Sequence, residues 1–265
     1  MTLARPKVMG IVNVTPDSFS DGGRFATHAD AVTYGLRLID EGADILDVGG
    51  ESTRPGADPV SEPDEIGRVL PVIEGLAGRG ALISIDTMKP AVARAAVAAG
   101  AAIWNDVNAL RAPGAIETAA ELNCGVVLMH MLGEPRTMQD RPNYGDVFGE
   151  VSGFLTARAQ ACLAAGVARD SIWLDPGIGF GKRLNHNLTL LKSLPDLASL
   201  GYPVVLGASR KSFLKAIDPR AANPADRFGG SVALSILGAD RGVACVRVHD
   251  VHDTVQALKV WEALQ

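Results

Sequence analysis

The sequence predicts a closed barrel of eight parallel strands with helices between them, the (β/α)8 or TIM-barrel fold of the α/β class. Eight short apolar runs rich in β-branched residues alternate along the chain with longer amphipathic segments. The runs are largely apolar rather than strictly alternating, as expected for parallel strands covered on both faces. The length of 265 residues matches one such barrel, which takes about 250 residues.

The predicted strands are separated by segments long enough for the helical crossovers that parallel pairing requires. We expect them at residues 8–14, 45–48, 82–86, 103–106, 126–130, 172–175, 204–207 and 243–248. The apolar face of the first helix is predicted at Ala29, Val32, Leu36 and Ile39. No linker rich in Pro, Gly or Ser divides the chain, so one domain is expected over residues 1–265.

The composition excludes several classes of function. Acidic residues exceed basic ones by 30 to 25, which argues against a nucleic-acid surface. No apolar run approaches the roughly 20 residues of a membrane span, and residues 1–10 lack the features of a secretory signal. The three cysteines are far apart and lack CxxC spacing, which indicates reduced core thiols in a cytoplasmic protein rather than a disulfide or a zinc site.

Polar residues follow the predicted strands at the positions that reach the catalytic end of a barrel. A single Asp after a strand is often only a helix cap or a turn former. Polar groups at nearly every strand end are harder to explain as capping, so we interpret this end as the active site. The series comprises Asn13, Asp47, Asp86, Asn105, Asp106, His130, Asp175, Ser209, Arg210, Lys211, Ser212, Arg247 and His249.

Positive charge is expected to gather at this end of the barrel. The Ser-Arg-Lys-Ser turn at 209–212 precedes an apolar helical segment, and the free N–H groups of a helix N-terminus attract anions. Barrels often bind phosphate after strands seven and eight. The ligand is therefore expected to carry a diphosphate or a carboxylate. The side chains that supply positive charge or donors are Arg54, Lys211, Arg247 and His249.

Short carboxylates and an amide form a second group. Asp86, Asn105 and Asp175 lack the spacing of a metal cage and suit a flat heterocycle with N–H and amino donors on its edge. A nearby lysine would donate to a ring carbonyl. Met129 and Phe180 could close over the faces of the ring, although such residues are more often part of the core.

Two stretches resemble the signature segments of the dihydropteroate synthases. The first is NVTPDSFSDGG at residues 13–23, and the second is DVGGESTRPGA at residues 47–57. Both segments are long and specific. Later segments agree with the same family, at 84–87, 105–107, 129–131, 175–182, 207–212 and 247–251, so that the resemblance runs from about residue 8 to residue 263.

The resemblance implies the activity of this family of transferases. They condense 6-hydroxymethyl-7,8-dihydropterin diphosphate with 4-aminobenzoate to give 7,8-dihydropteroate and diphosphate in folate biosynthesis. It also implies Mg²⁺ as cofactor, a homodimer and inhibition by sulfonamides, which mimic 4-aminobenzoate. The loops after the first and second strands are expected to be extended and mobile.

The resemblance further implies a role for each matching residue. The pterin would be bound by Asp86, Asn105, Val107, Met129, Asp175, Phe180, Gly207 and Lys211. Within this set, the expected catalytic residues are Asp86, Asp175 and Lys211. The diphosphate would be bound by Asn13, Thr53, Arg54, Arg247 and His249, with Mg²⁺ on Asn13. The 4-aminobenzoate would be bound by Phe19, Thr53, Pro55, Phe180, Lys211 and Ser212. Loop closure would involve Asp17, Asp21 and Arg54.

Two alternative functions stay open at this point. A pterin-binding methyltransferase shares the barrel but would not need Asn13, Arg247 and His249. A catalytically silent pterin-binding paralogue would bind its ligand without turnover. The chain departs from the family at 108–109, which reads Asn-Ala where Ser-Gly is common, and at Leu132, where Gln or Arg is common. These departures touch no implied role but can change the shape of a loop.

Overall fold

Eight parallel strands lie side by side in the computed structural model, which describes residues 4–15, 27–53 and 57–265. They are β1 (Lys7–Asn13), β2 (Ile45–Gly49), β3 (Leu82–Asp86), β4 (Ile103–Asp106), β5 (Gly125–Met129), β6 (Ile172–Asp175), β7 (Val205–Leu206) and β8 (Cys245–Val248). The order in the sheet is β6-β5-β4-β3-β2-β1-β8-β7. A parallel bridge between Leu174 and Val204 joins the two ends of the sheet. The predicted TIM-barrel fold is confirmed.

Helices connect these strands on the outside of the barrel. They are α1 (His28–Asp40), α2 (Glu62–Leu76), α3 (Pro90–Ala98), α4 (Ala115–Leu122), α5 (Val147–Ala164), α6 (Leu184–Lys192), α7 (Leu194–Ala198), α8 (Phe213–Ile217), α9 (Phe228–Asp240) and α10 (Val251–Ala263). Short 3₁₀ turns occur at Arg169–Ser171 and Pro224–Arg227. Within the described ranges, none of the helices is both long and apolar enough to cross a membrane.

The strand predictions differ from the structure by at most two residues at any end. Predicted and observed bounds are identical for β3, β4 and β6. The eighth strand starts at Cys245 rather than at 243, because Val243 N donates to Gly238 O at 3.0 Å and so completes the turn that ends α9. The seventh strand is shorter at both ends than the predicted 204–207.

The first helix presents a slightly different face from the predicted one. Its buried residues are Ala31, Gly35 and Leu38, whereas Ala29 is exposed. Gly35 permits close contact with α2, since a Cβ at this position would lie 2.7 Å from the methyl carbons of Leu76. The helix begins after Thr27, whose hydroxyl accepts a hydrogen bond from Asp30 N at 3.2 Å. The predicted Val32, Leu36 and Ile39 are half-buried against the core.

Side-chain alternation along the strands divides the barrel interior into an apolar layer and a polar layer. The apolar layer comprises Met9, Ile45, Ile103, Val127, Val205 and Cys245, with Trp173 packed against it. Residues two positions further along a strand point into the same interior, nearer its carboxyl end. They include Asp47, Asn105, Met129, Asp175, Gly207 and Arg247. The fold thereby places polar groups from distant parts of the sequence around one cavity.

Gly177 follows β6 at a position that has no room for a side chain. Its φ is +66°, and a Cβ there would lie 1.9 Å from the carbonyl oxygen of His130. We therefore expect Gly177→Ala to lower the free energy of unfolding by about 2–4 kcal/mol, from left-handed backbone strain together with overpacking. Urea unfolding measures the difference.

Gly153→Ala is the matched control. Gly153 lies inside α5, and a Cβ there would meet no atom within 4 Å. Alanine at this position should raise stability by about 0.5–1 kcal/mol through its higher helix propensity. Equal stability of the wild-type protein and Gly177→Ala would refute the steric argument.

Candidate active site

An arginine with two carboxylate partners lies at the carboxyl end of the barrel. Arg247 Nε donates to Asp47 Oδ2 at 2.6 Å, and its Nη2 donates to Asp86 Oδ2 at 2.8 Å. The side chain of Asp47 has no exposed surface. Asn105 Nδ2 donates to the same Asp47 oxygen at 3.0 Å. A single buried oxygen therefore orients a guanidinium and an amide that both belong to the predicted ligand set.

Lys211 and Asp175 lie on the neighbouring part of the cavity wall. The Nζ atom of Lys211 lies 3.8 Å from the ring centroid of Phe180, a distance suited to a cation–π contact. The stem of Lys211 passes over Gly179, where a Cβ would come within 3.2 Å of Lys211 Cδ. Asp175 Oδ1 accepts a hydrogen bond from Gly177 N at 2.7 Å. Its Oδ2 lies beside Gly207, where a Cβ would be 3.4 Å away.

Burial and mutual charge interactions shift the pKa values of these groups. Burial raises the pKa of Asp86 to about 7, although Arg247 opposes the rise. Burial also raises the pKa of Asp175. Burial lowers the pKa of Lys211 to about 8, with Arg247 adding to the decrease and the carboxylates of Asp175 and Asp86 opposing it. Clusters of such shifted groups are typical of functional sites.

Asp47 and Asp86 have the opposite effect on the arginine. Burial alone would lower the pKa of Arg247, but these two carboxylates raise it by more. The guanidinium therefore stays charged throughout the pH range in which proteins fold.

An apolar wall rich in methionine closes one side of the cavity. Val107, Met129, Met131 and Met138 are buried together. Met88 and Phe180 are half-buried against them. The structure thus brings together the predicted Val107, Met129 and Phe180. The three additional methionines were absent from the predicted site, although unbranched polarisable side chains near a strand end are suited to contact a ring.

The predicted anion-binding turn at 209–212 points its side chains in several directions. Ser209 Oγ lies 3.0 Å from His249 Nδ1 and also accepts from His249 N at 3.3 Å. Arg210 has a φ of +56° and turns away to Asp250, with Nε donating to Oδ2 at 3.0 Å. Lys211 enters the cavity, and Ser212 is exposed before the five-residue α8. The turn is therefore no four-residue cradle, because its arginine is held by an aspartate.

Asn13 and Thr53 lie at the ends of described segments. Asn13 is half-buried at the end of β1, and a Cβ at Gly49 would be 3.8 Å from Asn13 Oδ1 and 3.7 Å from Asp86 Oδ2. The absence of a side chain at Gly49 leaves space beside both oxygens. Thr53 is half-buried before a gap in the described chain. The predicted loop residues outside the described ranges are Asp17, Phe19, Asp21, Arg54 and Pro55.

His130, at a predicted strand end, makes its side-chain contact with a buried lysine. Lys182 is 4% exposed, and its Nζ donates to His130 O at 3.2 Å and to Phe180 O at 3.0 Å. The same nitrogen lies 2.9 Å from His130 Nδ1. Burial lowers the pKa of His130 to about 3 and that of Lys182 to about 7. Lys182 thus links the loops after β5 and β6 and supports the backbone beneath Phe180.

Asp106 is the strand-end residue for which the capping interpretation is correct. Its two carboxylate oxygens accept hydrogen bonds from Asn108 N and Leu110 N, each at 2.7 Å. Arg158 fixes the same loop through donations to Ala109 O at 2.8 Å and Leu110 O at 2.6 Å. The departure from the family sequence at 108–109 therefore lies in a loop that the side chains of Asp106 and Arg158 hold from outside the barrel.

Comparison with known proteins identifies the class to which this fold and cavity belong. Residues 9–249 match the family model described as pterin binding enzyme. The barrel, with carboxylates, an amide and a lysine beside an apolar wall, is accordingly that of a pterin-binding enzyme.

Individual relatives show which family of pterin-binding enzymes the chain belongs to. The dihydropteroate synthase of Neisseria meningitidis serogroup B is 51% identical over 268 residues, covering 99% of this chain and 94% of that protein. The solved structure of the Xanthomonas albilineans enzyme with 4-aminobenzoic acid has a TM-score of 0.92 at 53% identity, covering 100% and 95% of the two chains. The Yersinia pestis enzyme with a sulfonamide drug has a TM-score of 0.94 at 45% identity, covering 100% and 96%. The chain belongs to the dihydropteroate synthase family and is a transferase.

Arg247 compensates the charge of Asp47 inside the barrel, so its removal should be costly. Replacing Arg247 by Met leaves a carboxylate with no exposed surface beside an apolar side chain. The free energy of unfolding at neutral pH is expected to fall by about 3–5 kcal/mol, as for other broken buried ion pairs. Urea unfolding followed by circular dichroism measures this.

Two further variants test the cause of this loss. Adding Asp47→Asn to Arg247→Met removes the uncompensated charge and should recover part of the lost stability. Arg220→Met, at a surface pair with Asp218, should leave stability unchanged. A double variant no more stable than Arg247→Met alone would contradict the charge argument.

Proposed function

We propose that this chain condenses 6-hydroxymethyl-7,8-dihydropterin diphosphate with 4-aminobenzoate to give 7,8-dihydropteroate and diphosphate, as a step of folate biosynthesis. The proposal rests chiefly on one observation: the carboxylates of Asp86 and Asp175 interact electrostatically with the Lys211 ammonium, which lies over Phe180 at the edge of the apolar wall. Carboxylates suit the N–H and amino donors of a pterin edge, and an ammonium suits its carbonyl oxygen. Asn105, held by Asp47, supplies a further polar contact.

The same groups account for the transfer step. The bond between the pterin methylene carbon and the diphosphate oxygen breaks, and the diphosphate leaves with the electron pair. Positive charge then develops on the pterin, where the carboxylates of Asp86 and Asp175 stabilise it electrostatically. The neutral aromatic amine attacks the methylene carbon and afterwards loses a proton to solvent. The reaction therefore requires no general base from the protein.

The diphosphate is assigned to the side of the cavity formed by Asn13, Thr53, Arg247 and His249. A guanidinium has five N–H donors, and Arg247 uses two of its nitrogens for Asp47 and Asp86. Its remaining donors can therefore bind phosphate oxygens. His249 is oriented by its contact with Ser209. Arg54 is assigned to the same ligand on the family resemblance alone.

Mg²⁺ is proposed to bind together with the diphosphate. The described residues contain no group of three or more His, Cys, Asp or Glu side chains that could hold a metal ion. The amide oxygen of Asn13 lies beside Gly49, which has no side chain to cover it, and would contribute one ligand, with phosphate oxygens and water supplying the rest. When bound, the ion would neutralise charge on the leaving group.

The 4-aminobenzoate is assigned to the outer part of the cavity. Its carboxylate would be bound near Ser212, which is exposed next to Lys211. Phe180 and Thr53 would contact the ring, and Phe19 and Pro55 are assigned there by the resemblance. Asp17, Asp21 and Arg54 are assigned to closure of the first two loops. Sulfonamides that mimic 4-aminobenzoate are proposed to compete for this position.

A homodimer and a cytoplasmic location complete the proposal. Helix α9 packs small side chains such as Ser231 and Ser235 against the barrel, while Leu234 and Ile236 are half-buried and Phe228 is 39% exposed. The surface of α9 around these side chains is proposed as the subunit interface, and the mass measured by light scattering would decide it. The cysteines Cys124, Cys162 and Cys245 are free and buried, as suits a reducing compartment.

The reaction is tested by the release of diphosphate. Purified protein should release it rapidly only when both substrates are present. Lys211→Met should lower kcat/KM by at least about 100-fold through lost electrostatic and ligand contacts. The matched control is Lys215→Met, an exposed lysine one turn further along the chain, which should leave turnover unchanged. Diphosphate release at the same rate without 4-aminobenzoate would refute the assignment. A methyltransferase activity in place of diphosphate release would also refute it.

The pKa shifts predict a bell-shaped dependence of kcat/KM on pH. Asp86 must be ionised to stabilise positive charge, so activity should fall as the pH drops below about 7. Lys211 must be protonated to donate to the pterin, so activity should fall as the pH rises above about 8. Lys211→Arg should move the alkaline limb to higher pH, because a guanidinium stays protonated. An alkaline limb at the same pH in that variant would show that Lys211 is not its origin.

A further inference from the structure

A second cluster of charged groups lies outside the catalytic cavity, between the loop after β2 and helices α2 and α3. We call Glu51, Glu65 and Lys89 the loop anchor. Lys89 Nζ donates to Glu65 Oε2 at 2.5 Å and also to Glu51 Oε2. The side chains of Glu51, Glu65 and Lys89 are 11%, 1% and 20% exposed. The proposed reaction uses none of these residues.

The buried Glu65 makes the ammonium of Lys89 necessary. Burial raises the pKa of Glu65, and its bonds to Lys89 and Thr87 oppose that rise. Buried ion pairs add little net stability over apolar side chains of the same volume. Their directional bonds nevertheless fix geometry, since an uncompensated charge in the interior is strongly disfavoured. The structural consequence of the anchor is therefore the position of Glu51, which comes from a loop.

The backbone next to Glu51 is held by α2, the helix that contains Glu65. Gly50 O accepts a hydrogen bond from Arg68 Nη1 at 2.9 Å. A Cβ at Gly50 would lie 2.8 Å from Val69 Cγ1 and 3.0 Å from Glu65 Cγ, so the chain packs directly on α2. The loop leaves this point towards Thr53, two residues after Glu51. A shift of Glu51 would therefore displace Thr53, which is assigned to 4-aminobenzoate.

We propose that Glu51, Glu65 and Lys89 are positioning residues that hold residues 50–53, directly after β2, in the conformation that binds 4-aminobenzoate. The inference rests on the proposed function for the identity of that ligand. It makes two separable statements, one on the conformation of the loop and one on the binding of a single substrate. Apart from Asp86, which ends β3 three residues before Lys89, the groups assigned to the pterin come from β4 to β7 and the loops that follow them. Binding of the pterin should therefore depend much less on the anchor.

Steady-state kinetics with each substrate varied in turn separates these statements. Without the ammonium in Lys89→Met, the carboxylates of Glu51 and Glu65 repel each other and Glu51 leaves its position. The KM for 4-aminobenzoate should therefore rise at least about tenfold, while the KM for the pterin diphosphate should stay within about twofold of the wild-type value. Lys89→Arg keeps the charge and should restore most of the loss. The matched control is Arg94→Met in α3, the helix that follows Lys89. It removes bonds to Thr118 and Glu121 and should change neither KM.

Glu51→Gln provides a milder variant if Lys89→Met does not fold. It should raise KM for 4-aminobenzoate in the same direction, and the double variant Glu51→Gln with Lys89→Met should lose less than the sum of the single effects, because the three groups act as a unit. Purely additive effects, or equal increases of both KM values, would overturn the proposal in favour of a general loss of stability.

Hydrogen exchange tests the loop without reference to the reaction. Backbone amides of residues 50–53 should exchange at least about tenfold faster in Glu51→Gln or Lys89→Met than in the wild-type protein, whereas those of β5 should not change. Unchanged exchange at 50–53 would overturn the proposal. If the wild-type protein failed to condense the two substrates, the assigned reaction would fail, but the exchange experiment would still decide whether the anchor holds the loop.

Discussion

The catalytic end of the barrel depends on one buried carboxylate, that of Asp47. Its Oδ2 accepts hydrogen bonds from Arg247 and Asn105, and without exposed surface it requires a cation in the protein. Arg247 supplies that cation and uses its second branch to contact Asp86. When Asp86 and Asp175 are ionised and Lys211 is protonated, the three carboxylates of Asp47, Asp86 and Asp175 outnumber the two cations, Lys211 and Arg247, by one. This excess is suited to a reaction in which positive charge develops on the bound ring.

Much of the fold and part of the site could be predicted because both follow from the two-residue period of strands. Apolar runs identified the strands, and alternation places Asp47 above Ile45 and Arg247 above Cys245. The role of Asp47 was missed because sequence gives the direction of a side chain but not its depth. Its partner Arg247 is 200 residues away in the chain, and no local pattern relates two positions so far apart.

The rule that polar residues at strand ends face the cavity also selected residues that do not. The alternation of side chains along a strand explains some of these wrong predictions. Asn105 points into the barrel, so Asp106 points outwards and binds the loop backbone. His130 likewise follows the inward Met129 and is held by Lys182. Arg210 and Lys211 could not be separated in this way, because they lie in a turn. There the positive φ of Arg210 directs its side chain to Asp250, a property that sequence does not reveal for a residue other than glycine.

The outward charged residues have a structural task that complements the inward ones. Ala109 and Leu110 adopt φ values of +51° and +55°, which normally cost a non-glycine residue about 1 kcal/mol or more. Hydrogen bonds from this loop to Asp106 and from Arg158 to its carbonyls offset that cost. Lys182 and the loop anchor hold their loops by the same means. Charged side chains inside the barrel therefore lie where the ligands are proposed to bind, while polar and charged side chains behind the strands hold the loops in place. A loop sequence can depart from the family pattern as long as these outer contacts persist.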